Sequence, residues 1–342
     1  MEESDRCCLS IVTPVNGKAF VEEDKPDNKK DLIEYYTNPS WIFERAMKRF
    51  ENSYFGGEAF PCIFPFFGTS GHSSYFKNAC FEYAKDTVWF YPKIEATDEE
   101  LLVFEHEGKN FTTQKRIMES LANLANGKCY VGMPDNCGSL DGLAQLRDSV
   151  ALLVDMYFEP DEVLACTRKM ILALKITGDE LFAITKQCND GGSCHGWMNT
   201  WSTGRHMQIQ CDLSVMISPA MFGEFVLPEL EETARWLDQA IYHLDGQEQI
   251  RHLDHLLSVE KINMFQWTPV AGQPKTSNFI DVLKKIQRRG KGLVLFPEIG
   301  EVEKIVSGLS PRGLHLIIRD GVSSRKEANE LVRCVEKWSV KR

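Results

Sequence analysis

A histidine and an aspartate two residues apart close the apolar run Ile241-Tyr242-His243-Leu244-Asp245-Gly246. Residues i and i+2 of a strand share a face, so His243 and Asp245 should stand side by side at the end of a β-strand. An imidazole beside a carboxylate can hold a proton or a divalent metal ion. Further along, Met264-Phe265-Gln266-Trp267-Thr268-Pro269 repeats the pattern of an apolar run with polar and aromatic residues gathered at its C-terminal end. Asp212 follows another such run, 207–211, where a carboxylate can do acid–base or ligand chemistry or cap the next helix. Asp212, His243 and Asp245 are therefore the candidate catalytic residues.

Around them, Trp197, Trp201, Gln266, Trp267, His252 and Glu298 are candidates for substrate contact. Aromatic walls with carboxylates, an imidazole and an amide suit a polar small molecule having an apolar part. Each residue also has a structural alternative. The tryptophans could be core, and His252, in Arg251-His252-Leu253-Asp254-His255, could lie on a helix face with Asp254. Glu298 could be a solvated rim carboxylate. Cys194-His195, in a glycine-rich loop, is a weak nucleophile signal, because adjacency in sequence does not aim a base at a thiol.

The elements that must position these groups are strand-like runs at 62–67, 87–91, 130–133, 196–201, 207–211, 240–244, 264–267, 293–296 and 314–318. Helical segments lie between them, including 114–125, and 159–184 with a break expected at Gly178. Ser218-Pro219 reads as an N-cap serine followed by a first-turn proline, leading into a helix over 225–237. Strand–helix alternation calls for parallel strands with crossover helices, and its length favours a closed (β/α)8 TIM barrel, an α/β fold whose functional groups gather at the strand C-termini. The acidic stretch 90–111 breaks the alternation and is expected to be an antiparallel insertion. The charged run 24–31 points to a mobile leader over 1–35, with ordered structure starting at a helix near 40–51. Residues 36–342 then form one barrel domain with an N-terminal helical extension.

The chain has 342 residues, 43% hydrophobic, with 39 basic against 49 acidic side chains and a net charge of -10. That balance, without a Lys/Arg stripe, argues against nucleic acid and anionic membranes as partners. No run approaches the roughly 18 apolar residues of a membrane span, and the acidic N-terminus is unlike a secretory signal, so a cytoplasmic location is expected. The 11 cysteines are scattered and odd in number, without a Cys-x-x-Cys pair, as expected of free thiols in a reducing compartment.

Taken together, Trp41-Ile42-Phe43-Glu44 before Phe60-Pro61, Asp141-Gly142-Leu143-Ala144-Gln145-Leu146-Arg147, Gln210-Cys211-Asp212-Leu213-Ser214 with Ile217-Ser218-Pro219, and Tyr242-His243-Leu244-Asp245-Gly246 with Gln266-Trp267 resemble the uroporphyrinogen decarboxylase superfamily. The resemblance spans residues 35 to 340 and lies nearer the cobalamin-dependent methyltransferase branch than true uroporphyrinogen decarboxylases. It implies a (β/α)8 barrel. The Arg-rich N-terminal motif that holds uroporphyrinogen's carboxylates does not occur, so decarboxylation of that substrate is not expected. Thiol-directed methyltransferases of the superfamily hold zinc through a His-x-Cys pair and a later cysteine. Here the pair reads His243-Leu244-Asp245, and Cys334, in a helical stretch, is the sole cysteine after Cys211.

Two chemistries stay open. His243 and Asp245 could form a metal-free acid–base pair, or could bind zinc or another divalent ion with a third ligand from Asp212, Glu298 or His315. The resemblance implies a methyltransferase acting on a small methylated substrate. No Asp-x-His-x-x-Gly corrinoid motif occurs, so cobalamin would come only on a separate corrinoid protein. The alternatives are a noncatalytic binding member of the superfamily and a decarboxylase or lyase on a small polar substrate. Barrels of this superfamily are often dimeric, which adds a homodimer to the expectations.

Overall fold

The computed structural model describes residues 6–15, 20, 25–136 and 138–339. Its strands are β1 (Cys8–Pro14), β2 (Ser53–Gly57), β3 (Cys62–Ile63), β4 (Phe81–Tyr83), β5 (Val88–Phe90), β6 (Tyr130–Met133), β7 (Gly192–His195), β8 (Thr200–Thr203), β9 (His206–Ile209), β10 (Gln239–Asp245), β11 (Ile262–Thr268), β12 (Gly292–Leu295) and β13 (Leu314–Ile318). A seven-stranded, mostly parallel sheet runs in the order β2-β1-β13-β12-β11-β10-β9, and a four-stranded sheet runs β3-β6-β7-β8. Helices cover the outer faces, as parallel strands require.

Alternation along the strands sorts the side chains into two populations. Tyr242, Leu244, Phe265, Trp267, Leu293, Leu295, Leu316 and Ile318 join the large apolar core that includes the helices. Ile241, Val294 and Ile317 form a separate buried cluster with Met198, against which Trp197, Met264 and Phe296 pack. The period of two then places His243 and Asp245 on the face of Ile241, and Gln266 on the face of Met264. Burying each large apolar side chain contributes about 1.5–3 kcal/mol, and a one-residue slip would forfeit this on both faces, which holds the register.

Strand positions were largely readable from the apolar runs, but the closed ring was not realised as a hydrogen-bonded ladder. Among the described residues no ladder joins β7 to β9 or β2 to β3. β7 instead turns back into antiparallel β8. It adjoins β9 through Ser193, whose Oγ accepts from the His206 amide at 2.6 Å. The fold is thus established as mixed α/β with a mostly parallel sheet.

The expected leader also differs. Ordered structure begins well before residue 40, because β1 runs parallel to β13, pairing Cys8 with His315 and Ile11 with Ile318, while β2 pairs antiparallel on its other edge. Leu9 and Ile11 are fully buried there. Residues 1–5, 16–19 and 21–24 of the expected leader lie outside the described residues. The helices Lys29–Thr37 and Pro39–Glu51 form the expected N-terminal helical extension.

The helix Pro160–Thr185 continues through Gly178. A Cβ at Gly178 would lie 2.6 Å from Trp236, so that glycine serves packing and not a break. Ser218 caps as expected, its Oγ accepting from the Met221 amide at 3.3 Å. The antiparallel β4–β5 hairpin precedes the acidic stretch 90–111, sharing only Phe90 with it, and within the stretch Phe104 forms an isolated antiparallel bridge with Phe76. No helix among the described residues is long and apolar enough to cross a membrane.

Candidate functional site

Three side chains converge where β9 and β10 end. Asp212, His243 and Asp245 each offer one ligand atom, and these atoms lie within 4.8 Å of one another. Asp212 begins the 3₁₀ turn Asp212–Met216. Asp141 fixes that start, its carboxylate accepting from the Asp212 amide at 2.8 Å and the Leu213 amide at 2.9 Å. Burial, then the charge of Asp212, push the Asp141 carboxyl well above the usual range, against the pull of the two amides.

Asp212 is joined to a row of buried amides. Gln208 Nε2 donates to Asp135 at 2.6 Å and to Gln210 Oε1 at 2.8 Å, and Gln210 Nε2 donates to Asp212 at 2.9 Å. Loss of hydration raises the Asp212 pKa, and the charge of Asp245 adds to the rise. His243 and the Gln210 hydrogen bond oppose it. A cation beside these carboxylates would relieve the repulsion between them.

His243 is oriented from the next strand. The β10–β11 register sets His243 opposite Gln266 and Asp245 opposite Thr268. His243 Nδ1 bonds Gln266 Oε1, while Gln266 Nε2 donates to Thr268 Oγ1 at 2.6 Å. A carbonyl oxygen only accepts, so in this arrangement Nδ1 carries the proton and Nε2 presents its lone pair.

A cleft of about 530 Å³ opens beside the cluster, lined by Trp197, His243, Asp245, Thr268, Lys275, Phe296, Glu298 and Arg319 together with the loop Pro269-Val270-Ala271-Gly272-Gln273. Trp197 stands edge-on to His243, with ring centroids 5.4 Å apart, and to His195 at 5.1 Å. Burial lowers the His195 pKa to about 3, with His206 and His243 adding to the shift, so this ring is neutral near pH 7.

Of the expected substrate contacts, Trp197 and Glu298 line the cleft. Glu298 pairs with Lys275 and shares a capping box with Glu301. Gln266 is buried and reaches the cleft through His243. The remaining three lie elsewhere. Trp267 is fully buried against Phe279, ring centroids 4.7 Å apart, because adjacency to Gln266 turns it to the opposite face.

Trp201 lies on β8, which runs back from the rim, and it lines a separate cavity of about 270 Å³ with Cys8, Glu58, His206 and Met264. The expected single strand 196–201 is in fact a turn over 196–199 followed by the start of β8, which leaves Trp197 on the turn and carries Trp201 away. His252 packs into the helical layer, stacked on Phe222 with centroids 4.4 Å apart and its Nε2 on the Ser214 carbonyl. His315, weighed as a metal ligand, bonds Ser10 Oγ at 2.8 Å and lines the Trp201 cavity.

The sequence reading missed His195 as a residue of the site, because it took 191–196 for a glycine-rich loop and began the strand at Gly196, where β7 has already ended at His195. It also passed over Gln208 as a partner of the site. Two glutamines two apart at the end of a buried strand were the available signal, since buried polar groups demand partners.

A mostly parallel α/β sheet with a polar, carboxylate-bearing cleft at the strand C-termini is an enzyme-like architecture. No protein-family model matches the sequence, and no curated protein matches it. Among solved structures, a methyltransferase from Methanosarcina mazei is similar, with a TM-score of 0.59 at 9% sequence identity over 89% of this chain and 87% of that chain. At that identity the likeness is one of fold.

Proposed function

We propose that this chain is a methyltransferase whose Asp212, His243 and Asp245 hold a divalent metal ion, zinc before others, beside a small methylated substrate. The observation that carries the reading is the approach of the three donor atoms to within 4.8 Å of one another. One imidazole and two carboxylates form a donor set suited to zinc or another divalent ion of similar hardness. The fold likeness to a methyltransferase supports the reading. The (β/α)8 barrel belongs to the proposal as well, supported by β9 to β13 running parallel in chain order and by β3, β6 and β7 doing the same in the second sheet, with β1 on the other edge of β13.

When bound, the ion would supply Lewis acidity at the cleft. The chain's own residues do the rest. Gln266 fixes the tautomer and angle of His243, and Gln210 anchors the Asp212 carboxylate. Trp197 and Phe296 give the substrate an apolar wall. Asp141 holds the Asp212 turn so that the cluster keeps its shape. A methyl acceptor of the corrinoid type would be delivered by a separate protein, as the missing corrinoid motif implies.

The test is elemental analysis of purified, untagged protein beside Asp212→Asn, His243→Ala and Asp245→Asn variants, with circular dichroism to confirm folding. Near-stoichiometric divalent metal in the parent, with affinity reduced at least roughly tenfold in each folded variant, supports the site. A parent that stays metal-free after dialysis against zinc, or variants that all retain the metal, would overturn it. Methyl transfer from a methylated donor to added corrinoid protein then separates an enzyme from a binding protein.

A further inference from the structure

Arg319 is a charged residue of the cleft that the proposed chemistry does not use. It follows β13, is exposed, and its guanidinium carbon stands 3.9 Å from the Phe296 ring centroid and 6.0 Å from that of Trp197. One donor, Nη2, is spent on the Trp197 carbonyl at 3.1 Å. Lys275, the other permanent cation of the lining, is paired with Glu298. Arg319, by contrast, makes no ion pair among the described residues.

We infer that Arg319 anchors a carboxylate of the substrate, so that the cleft takes a small methylated carboxylic acid with its acid group at Arg319 and its remaining part directed past Trp197 to His243. The inference deepens the methyltransferase reading and rests on its placement of the substrate.

The physical reasons are geometric. A guanidinium laid on an aromatic ring keeps its in-plane N–H donors free at the edge, the arrangement that meets a planar carboxylate through two parallel hydrogen bonds. Partial burial also strips some of its hydration, which lowers its pKa against the opposing charge of Asp320 and reduces what an incoming anion must displace. Trp197 links the two ends, since its carbonyl holds Arg319 and its indole stands 5.4 Å from His243. The carboxylates of Asp245, Glu298 and Glu301 share the lining, which disfavours a dianionic phosphate and leaves a singly charged acid as the better match.

Trifluoroacetate and trifluoroacetamide, followed by ¹⁹F NMR on the full chain as purified, separate the acid from its neutral counterpart. The parent should bind the acid saturably and the amide roughly tenfold or more weaker, as expected when one charge-assisted pair is removed. Arg319→Gln should reduce the acid to the level of the amide, and Arg319→Lys should restore part of the difference. Metal content should be unchanged in both variants.

Three results overturn the inference. They are no saturable binding of the acid by the parent, equal binding by Arg319→Gln, and loss of acid binding in Asp245→Ala while Arg319→Gln keeps it, which would put the anion on the metal. Acid binding that depends on Arg319 in a parent that stays metal-free after dialysis against zinc upholds the carboxylate anchor while removing the metal site.

Discussion

The Nδ1 of His243 is hydrogen-bonded to the side-chain oxygen of Gln266, directly across the β10–β11 pair. As placed, Gln266 Nε2 donates to Thr268 Oγ1 and its Oε1 faces His243. In that arrangement Nδ1 carries the proton and Nε2 is free as a base or ligand. Gln266→Leu should leave the fold intact but weaken metal binding by roughly 10–100-fold, the usual cost of deleting the group that orients a ligating histidine. Competition against a coloured chelator measures it. Unchanged affinity would show that the ring needs no such support.

The three tryptophans proposed from sequence should now behave differently from one another. Trp267→Ala should cost about 3–5 kcal/mol in a denaturant melt, since its ring is fully buried against Phe279. Trp201, which is 38% exposed and lines the other cavity, should lose far less and leave the cleft untouched. Trp197→Ala should fold and weaken cleft ligands. If Trp201→Ala affected trifluoroacetate binding as strongly as Trp197→Ala, the division of the two cavities would be wrong.

Local periodicity exposed what local physics controls. The strands at 130–133 and 314–318 coincide with β6 and β13, and the apolar runs that end in His243 and Gln266 gave the elements of the site. Which face each residue takes was also available, yet parity was not applied to Trp267, one residue beyond Gln266. Partner choice was not readable. Nothing in Cys8–Pro14 says that it will take the free edge of β13, because a strand's own alternation carries no label for its neighbour. Its apolar Leu9 and Ile11, two residues apart, were nevertheless a strand signal, masked by the charged stretch that follows. Asp212 lies beside His243 because β9 and β10 pair in parallel with Ile209 opposite Tyr242, a partnership that the two runs do not announce.

Gly178 should resist substitution although it sits inside a long helix. Its missing side chain makes room for the Trp236 ring, 2.6 Å from where a Cβ would stand. That ring is not free to move, because its Nε1 donates to Asp179 at 3.1 Å and Arg205 lies over it at 5.4 Å. Alanine would gain about 1 kcal/mol of helix propensity and lose about 1–3 kcal/mol to overpacking. Net destabilisation in urea titration is expected, with recovery in the Gly178→Ala, Trp236→Leu double variant. A stabilised single variant would show that the helix pair can spread at little cost.

Acid should act on the fold through buried histidines, and His315 isolates the effect. Its Nε2 bonds Ser10 Oγ, tying β13 to β1, and burial lowers its pKa from 6.5 to about 4 against the opposing charge of Glu58, which is itself held by Arg6. The folded protein thus takes up this proton later than the unfolded chain does. Its contribution is fully present above pH 6.5 and is lost as pH falls toward 4, a change of about 3 kcal/mol if the whole shift is expressed. His72 and His206, lowered to about 4 by the same burial, and His195, lowered to about 3, add to the acid limb. His315→Asn should therefore lower stability at pH 7.5, where the Ser10 bond is lost, and also flatten the decline between pH 6.5 and 4 by up to one proton's worth of slope. Urea titrations of parent and variant across that range read both effects. Parallel curves would mean that His315 titrates alike in the folded and unfolded chains, and that the acid limb belongs to other buried groups, His72, His195, His206 and His252 among them.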